Sequence, residues 1–174
     1  MTIYTIGHST RSLEEFLSLL RAHGITQLGD VRTVPKSRRH PHFAGQALAM
    51  ALEVAGIDYR HLPALGGLRK PRRDSKNSAW RHEGFRGYAD YMESQEFENA
   101  ISELIAWAGV PGSRTAIMCA EAVWWRCHRQ LVADALVARN VNVQHIQTAT
   151  SAPKHKLTEF ARIDGFRVGY PSLV

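Results

Sequence analysis

Apolar positions along the chain change period several times, and each change marks an element. "TIYTI" near the start gathers β-branched residues and stops at Gly7, the signature of a short buried strand. "SLEEFLSLLRAHG" switches to helical spacing. There Leu13, Phe16, Leu17 and Leu20 form one stripe, Ser12 and Glu15 have the spacing of a capping box, and Gly24 can close the helix. The alternation then repeats with "ITQLGDV" as a strand, "GQALAMALEVAG" as a helix ended by Gly56, and "IDYRHL" as a third strand.

Residues 63–84 interrupt the rhythm with a segment that has no apolar period. "FRGYADYM" and "SQEFENAISELIAWA" follow as helices, the second capped by Ser94 and striped by Phe97, Ile101, Leu104, Ile105 and Ala108. "PGS" breaks it. "RTAIMCA" reads as the fourth strand, "CHRQLVADALVARN" as a helix and "VNVQHI" as the fifth strand, and from Ser151 onward the signals weaken. Strands alternating with helices require crossovers between parallel neighbours, so the expectation is a Rossmann-like three-layer α/β/α fold with a mainly parallel sheet of about five strands. The 174 residues suit one domain, 1–174, carrying a basic loop insertion at about 63–84.

Composition adds little until charge is placed along the chain. The net charge of +6 is concentrated: between Arg32 and Arg86 there are twelve Lys/Arg against four Asp/Glu, while the remainder is slightly acidic. "KSRRHPH" and "LRKPRRDSKNSAWRH" carry this excess, either as solvated loops or as an electrostatic footprint for phosphates. No apolar run approaches the ~20 residues that cross a bilayer, and the start lacks a basic-then-apolar leader, so a cytoplasmic protein without membrane association is expected. Its two cysteines would stay reduced there, available for thiol chemistry, metal binding or burial.

In parallel α/β sheets, ligands bind beyond the carboxyl ends of the strands. Those positions hold Gly7, His8 and Ser9; Asp30 and Arg32; His61 with Gly66 and Gly67; and Cys119 with Glu121. Each has a structural explanation of its own. Ser9 can serve a helix entry, Asp30 can pair with Arg32, and Cys119 can be a small core residue. Four strand ends carrying polar, titratable groups together are better explained by a site.

Six motifs in order, "TIGHS", "DVR" followed by "P.S", "LGG", "FRGYADYM", and "CAE" followed by "CHR", resemble the DUF488 family, bacterial and archaeal proteins named for their unknown function. The resemblance runs from Thr5 to about His145. It implies that His8, Ser9, Asp30, Arg32, Pro35, Ser37, Gly66, Gly67, Phe85, Arg86, Gly87, Tyr88, Cys119, Glu121, Cys127, His128 and Arg129 occupy family motif positions. No established reaction comes with it.

Three chemistries compete for these residues. A thiolate at Cys119 would sit in a loop between strand and helix as in phosphatases or sulfurtransferases, yet the phosphatase loop wants an arginine where this chain has Trp125, with Arg126 one residue late. Zinc could use Cys119, Cys127 and His128, completed by His8, His40, His42 or His61, but a second ligand cluster is missing from the sequence. The leading expectation is a phosphate-bearing ligand, nucleotide or nucleic acid, clamped by Arg32, Arg86 and Arg129 and contacted by Ser9, Ser37, Gly66, Gly67, Tyr88 and His128. Cys119, Glu121, His8 and Asp30 are the candidates for catalysis, without metal or cofactor. Exposed members of the aromatic set Phe43, Tyr59, Trp80, Phe85, Tyr88, Trp124 and Trp125 could stack on bases. Walker, dinucleotide and helix-turn-helix signatures are absent. The alternatives are a cysteine-dependent hydrolase or transferase acting on a small molecule, and a nucleic-acid-binding module without catalysis; the residues do not decide whether the protein is an enzyme. Glu121 is expected to pair with Arg32 or Arg129, and Cys127 to be structural.

Overall fold

The computed structural model describes residues 1–173. Five parallel strands, β1 (Thr2–Gly7), β2 (Gln27–Asp30), β3 (Asp58–His61), β4 (Thr115–Cys119) and β5 (Asn142–His145), form a sheet in the order β3-β2-β4-β1-β5. This is the three-layer α/β arrangement the sequence predicts. Alternation along the strands sends successive side chains to opposite faces. Ile6, Ala116 and Met118 pack with α1 (Leu13–Ala22) and α2 (Gly45–Val54), whereas Ile3, Ile117 and Cys119 face α3 (Glu83–Tyr91), α4 (Gln95–Ala108) and α5 (Arg129–Ala138).

Local chemistry accounts for the helix ends. Ser12 Oγ accepts the Glu15 N–H at 3.1 Å and Ser94 Oγ accepts that of Phe97 at 3.2 Å, the capping bonds expected from their spacing. Gly24 and Gly56 close α1 and α2 at φ +65° and +75°, conformations that L side chains avoid.

Two features depart from the expectations. The basic segment is anchored rather than loose: Asp90 of α3 accepts the Arg72 N–H, the Ser75 hydroxyl and the Asn77 amide at 2.8, 2.6 and 2.8 Å. Burial would raise this carboxyl, but the three donors hold it below its usual range. Beyond Ser151, where periodicity fades, the chain forms an antiparallel hairpin of β6 (Arg162–Asp164) and β7 (Arg167–Gly169). Three-residue strands are too short to show a period. No helix is long and apolar enough to cross a membrane among the described residues.

Candidate functional site

Two clefts open at the carboxyl edge of the sheet, separated by the loop that follows β4. One, of about 410 Å³, is lined by Arg32, Val34, Leu68, Phe85, Cys119, Cys127 and His128, with Lys36 and Arg126 among its basic residues. The other, of about 530 Å³, is polar and basic, lined by His8, Ser9, Thr10, Ser37, Arg38, Arg39 and His40. Ala120 and Glu121 belong to both walls.

Close backbone approach shapes that dividing loop. His8 and Ser9 donate their N–H groups to the carbonyls of Cys119 and Ala120 at 3.0 and 2.9 Å, with Ser9 at φ +49°. A Cβ at Gly7 would lie 1.7 Å from the Glu121 carbonyl oxygen, so only glycine lets the loop fold back over β1. This turn corrects the expectation for Glu121. The chain does not stay extended past Ala120, the Glu121 side chain is exposed, and Arg129 binds its backbone carbonyl instead, donating from Nη2 at 2.6 Å. Among the described residues Glu121 forms no ion pair with Arg32 or Arg129.

The arginines expected to clamp an anion have internal partners. Arg32 donates from Nε and Nη2 to the two Asp30 oxygens at 2.9 and 2.7 Å, a bidentate pair in which Asp30 is fully buried. Tyr59 donates to the same carboxylate at 2.6 Å. Burial, then the Asp30 contact, pushes its phenol up. Arg32 Nη1 faces His8 Nε2 at 3.5 Å, and the His8 ring stacks on Phe43 with centroids 4.4 Å apart. Burial holds His8 below the ordinary imidazole range, against the opposing hydrogen bond to the Ser9 carbonyl. Arg129, 1 % exposed, donates also to Thr5 Oγ1 at 3.3 Å, while its Nε has no partner among the described residues.

The remaining residues divide between cleft and support. Ser37 Oγ accepts the His40 N–H at 3.1 Å beside the basic cleft. Tyr88 is buried and donates to the Leu65 carbonyl, so it supports the wall from behind. Arg86 does not line either cleft and approaches Glu83 at 4.0 Å. Gly67 lines the first cleft and Gly66 does not, and both are closely packed: a Cβ on Gly66 would meet Thr33 Oγ1 at 2.3 Å, and one on Gly67 would meet His128 Nδ1 at 2.5 Å. Of the tryptophan pair, Trp124 stacks on His145 at 4.4 Å while Trp125 is exposed, the two rings 87° apart.

Cys127 stands at the start of α5, as its place in the chain predicts, with a polar environment around its sulfur. It lies in the turn before α5, and its Sγ accepts the Arg129 N–H at 3.4 Å and stands 3.5 Å from His128 Nδ1. His128 Nε2 lies 3.0 Å from the Val31 carbonyl, which can only accept, so Nε2 carries the proton and the Nδ1 lone pair faces the thiol. Burial is the largest influence on Cys127 and would push it up. Contacts from Cys119 and His128, with the charges of His128 and Arg129, outweigh it and hold the thiol well below its usual range. Cys119 shifts the other way, raised by burial and by the Cys127 neighbour, and its S–H points at the Glu121 carbonyl at 3.8 Å. No group of three or more His, Cys, Asp or Glu side chains converges on one metal position among the described residues.

A buried polar relay behind the loop is absent from the sequence expectations. Asp134 accepts from Tyr170 at 2.8 Å and contacts His155 Nε2 at 2.8 Å; His155 Nδ1 meets His145 Nε2 at 2.9 Å; His145 Nδ1 meets Thr5 Oγ1 at 2.6 Å, and Thr5 receives Arg129. The signal for His145 was present, since it ends β5 at the same sheet edge. His155 lies where the sequence pattern had faded.

These features define a parallel α/β domain with two buried thiols on one cleft and a second, basic cleft at its sheet edge. The family model "Domain of unknown function DUF488" matches residues 12–136, and the chain belongs to that family. No curated protein and no solved structure matches it.

Proposed function

We propose that this protein is a cysteine-dependent transferase or hydrolase in which Cys127 is the nucleophile and His128 its proton acceptor. One observation carries the reading: Val31 fixes the His128 tautomer so that Nδ1 faces Cys127 Sγ. Adjacent residues on a regular helix diverge, but Cys127 stands outside α5 and His128 caps it, which allows the contact. Gly67 leaves the ring room for this one placement. The dyad has the parts of an activated nucleophile: a thiol, a base and a group that orients the base. Cys119 is then the neighbouring neutral thiol.

Alkylation tests this directly. Iodoacetamide at near-neutral pH is expected to label Cys127 in preference to Cys119, and His128→Gln to slow that labelling about tenfold or more by removing the proton acceptor. Equal labelling of the two thiols, or none at Cys127 in the folded protein, would overturn the assignment.

The basic cleft supports a second element, a phosphate-bearing ligand. Arg38 and Arg39 are exposed there beside Ser37, His8 and His40, which suits recognition of a charged oxygen group. Replacing both arginines with glutamine is expected to weaken binding of a mononucleotide at least fivefold. The salt dependence of binding separates the candidate ligands: a steep loss with rising salt for an oligonucleotide points to nucleic acid, and a shallow one to a small molecule. Unchanged mononucleotide and oligonucleotide binding in the double variant would remove the phosphate reading. Arg69 and Arg72 are poor choices for such a test, since Arg69 stacks on Tyr91 at 3.5 Å and Arg72 pairs with Glu93 at 2.7 Å.

A further inference from the structure

Both cysteines of the chain open on one cleft, and a nucleophile does not need a second thiol. Cys119 ends β4 and Cys127 lies in the turn before α5, both at most 5 % exposed, both unbridged, and both within the same buried cluster. Burial alone does not require that the only two cysteines of the chain line one cleft together with an imidazole. Both thiols line the same cleft, Cys127 beside the His128 imidazole at 3.5 Å and Cys119 with its S–H on the Glu121 carbonyl at 3.8 Å. The apolar wall of Val34, Leu68 and Phe85 leads to them, with Lys36 and Arg126 as basic lining residues.

We infer that Cys119 is a resolving thiol and that the pair acts on a small-molecule disulfide by thiol–disulfide exchange, an inference that rests on the nucleophilic reading of Cys127. The Cys127 thiolate attacks one sulfur of the substrate. A bond forms between Cys127 Sγ and that sulfur, the substrate S–S bond breaks, and the first thiolate leaves with the bonding pair and takes up a proton from the His128 imidazolium. Cys119 then attacks Cys127 Sγ, and the second substrate half leaves as a thiol with the proton Cys119 gives up. Two substrate thiols are produced and the protein is left with a Cys119–Cys127 disulfide, oxidised by two electrons. An external dithiol resets it by the reverse exchange.

The division of labour between the two sulfurs follows from their surroundings. Cys127 receives an amide N–H and faces the imidazole, so it attacks first; Cys119 directs its S–H to the Glu121 carbonyl and stays protonated until Cys127 has become an electrophile. An apolar cleft with basic residues suits an organic disulfide bearing anionic groups.

5,5′-Dithiobis(2-nitrobenzoate) has that chemistry and is a suitable probe. Wild-type protein is expected to release about two equivalents of thionitrobenzoate, retain no label and become about 2 Da lighter, with dithiothreitol restoring the starting mass. Cys119→Ser and Cys119→Ala should each release one equivalent and keep the label on Cys127. A stable label on Cys127 in the wild type, or labels on both cysteines without an internal bridge, would overturn the inference. The failures are distinguishable. Cys127 unreactive towards iodoacetamide refutes the nucleophile itself, whereas a reactive Cys127 that never bridges to Cys119 refutes the resolving role alone.

Discussion

Arg129→Met is expected to destabilise the folded protein by about 1–3 kcal/mol, because it strips the charged donor from the Glu121 carbonyl, leaving it only the weak Cys119 S–H, and from the buried Thr5 Oγ1. The side chain is among the largest fully buried ones in the molecule, so solvent cannot take over its bonds. The methionine fills similar space and keeps the backbone N–H that binds Cys127. Loss of the guanidinium charge removes one of the influences that hold the Cys127 thiol down. Two measurements follow, a fall in the urea midpoint and a shift of Cys127 alkylation towards higher pH. Arg129→Lys should recover part of the second effect, since it restores charge, and little of the first, since an ammonium cannot reach both acceptors. An unchanged midpoint for Arg129→Met would show that the loop holds without it.

Acid should weaken this fold before its carboxylates titrate. His145 is buried among Thr5, His155 and Trp124, and its pKa is lowered to about 3, first by burial and then by the charges of His155 and Arg129. In the unfolded chain the same imidazole takes up a proton near its ordinary value of 6.5. The native state refuses that proton, so its contribution to stability is complete above about pH 6.5 and is lost as pH falls from there towards 3. At about 1.4 kcal/mol per unit of pH, one such histidine costs on the order of several kcal/mol across the range. His8 is depressed in the same direction and adds to the slope. Urea midpoints are expected to drop steeply between about pH 6.5 and 4.5, and His145→Gln, though less stable at neutral pH, should show a flatter profile. Equal midpoints at the two ends of that range would sink the account.

The amount legible in the sequence differs between fold and site. Ser12, Ser94, Gly24 and Gly56 act where their spacing places them, because caps and left-handed closures are satisfied within one turn of chain. His8, Asp30, Arg32 and Cys119 meet at one edge because strand alternation and parallel order bring every strand end to the same side. Their partners were not legible. Tyr59 reaches Asp30 from β3, and Arg129 turns to a carbonyl rather than a carboxylate because the loop folds over Gly7.

By itself, the sequence determined the alternation of strands and helices, the helix ends and the site edge, which are written in periods of two or about four residues, and the concentration of positive charge, which is a matter of local composition. Tertiary structure alone decided which cysteine meets a base. "CHR" places Cys127 beside His128 in the chain, but the proton position depends on Val31 from the segment after β2, the ring position on Gly67, and the thiol's surroundings on Cys119 at the end of β4. Those contacts join residues far apart in sequence. No local pattern records them, because their energy exists only once the layers have packed.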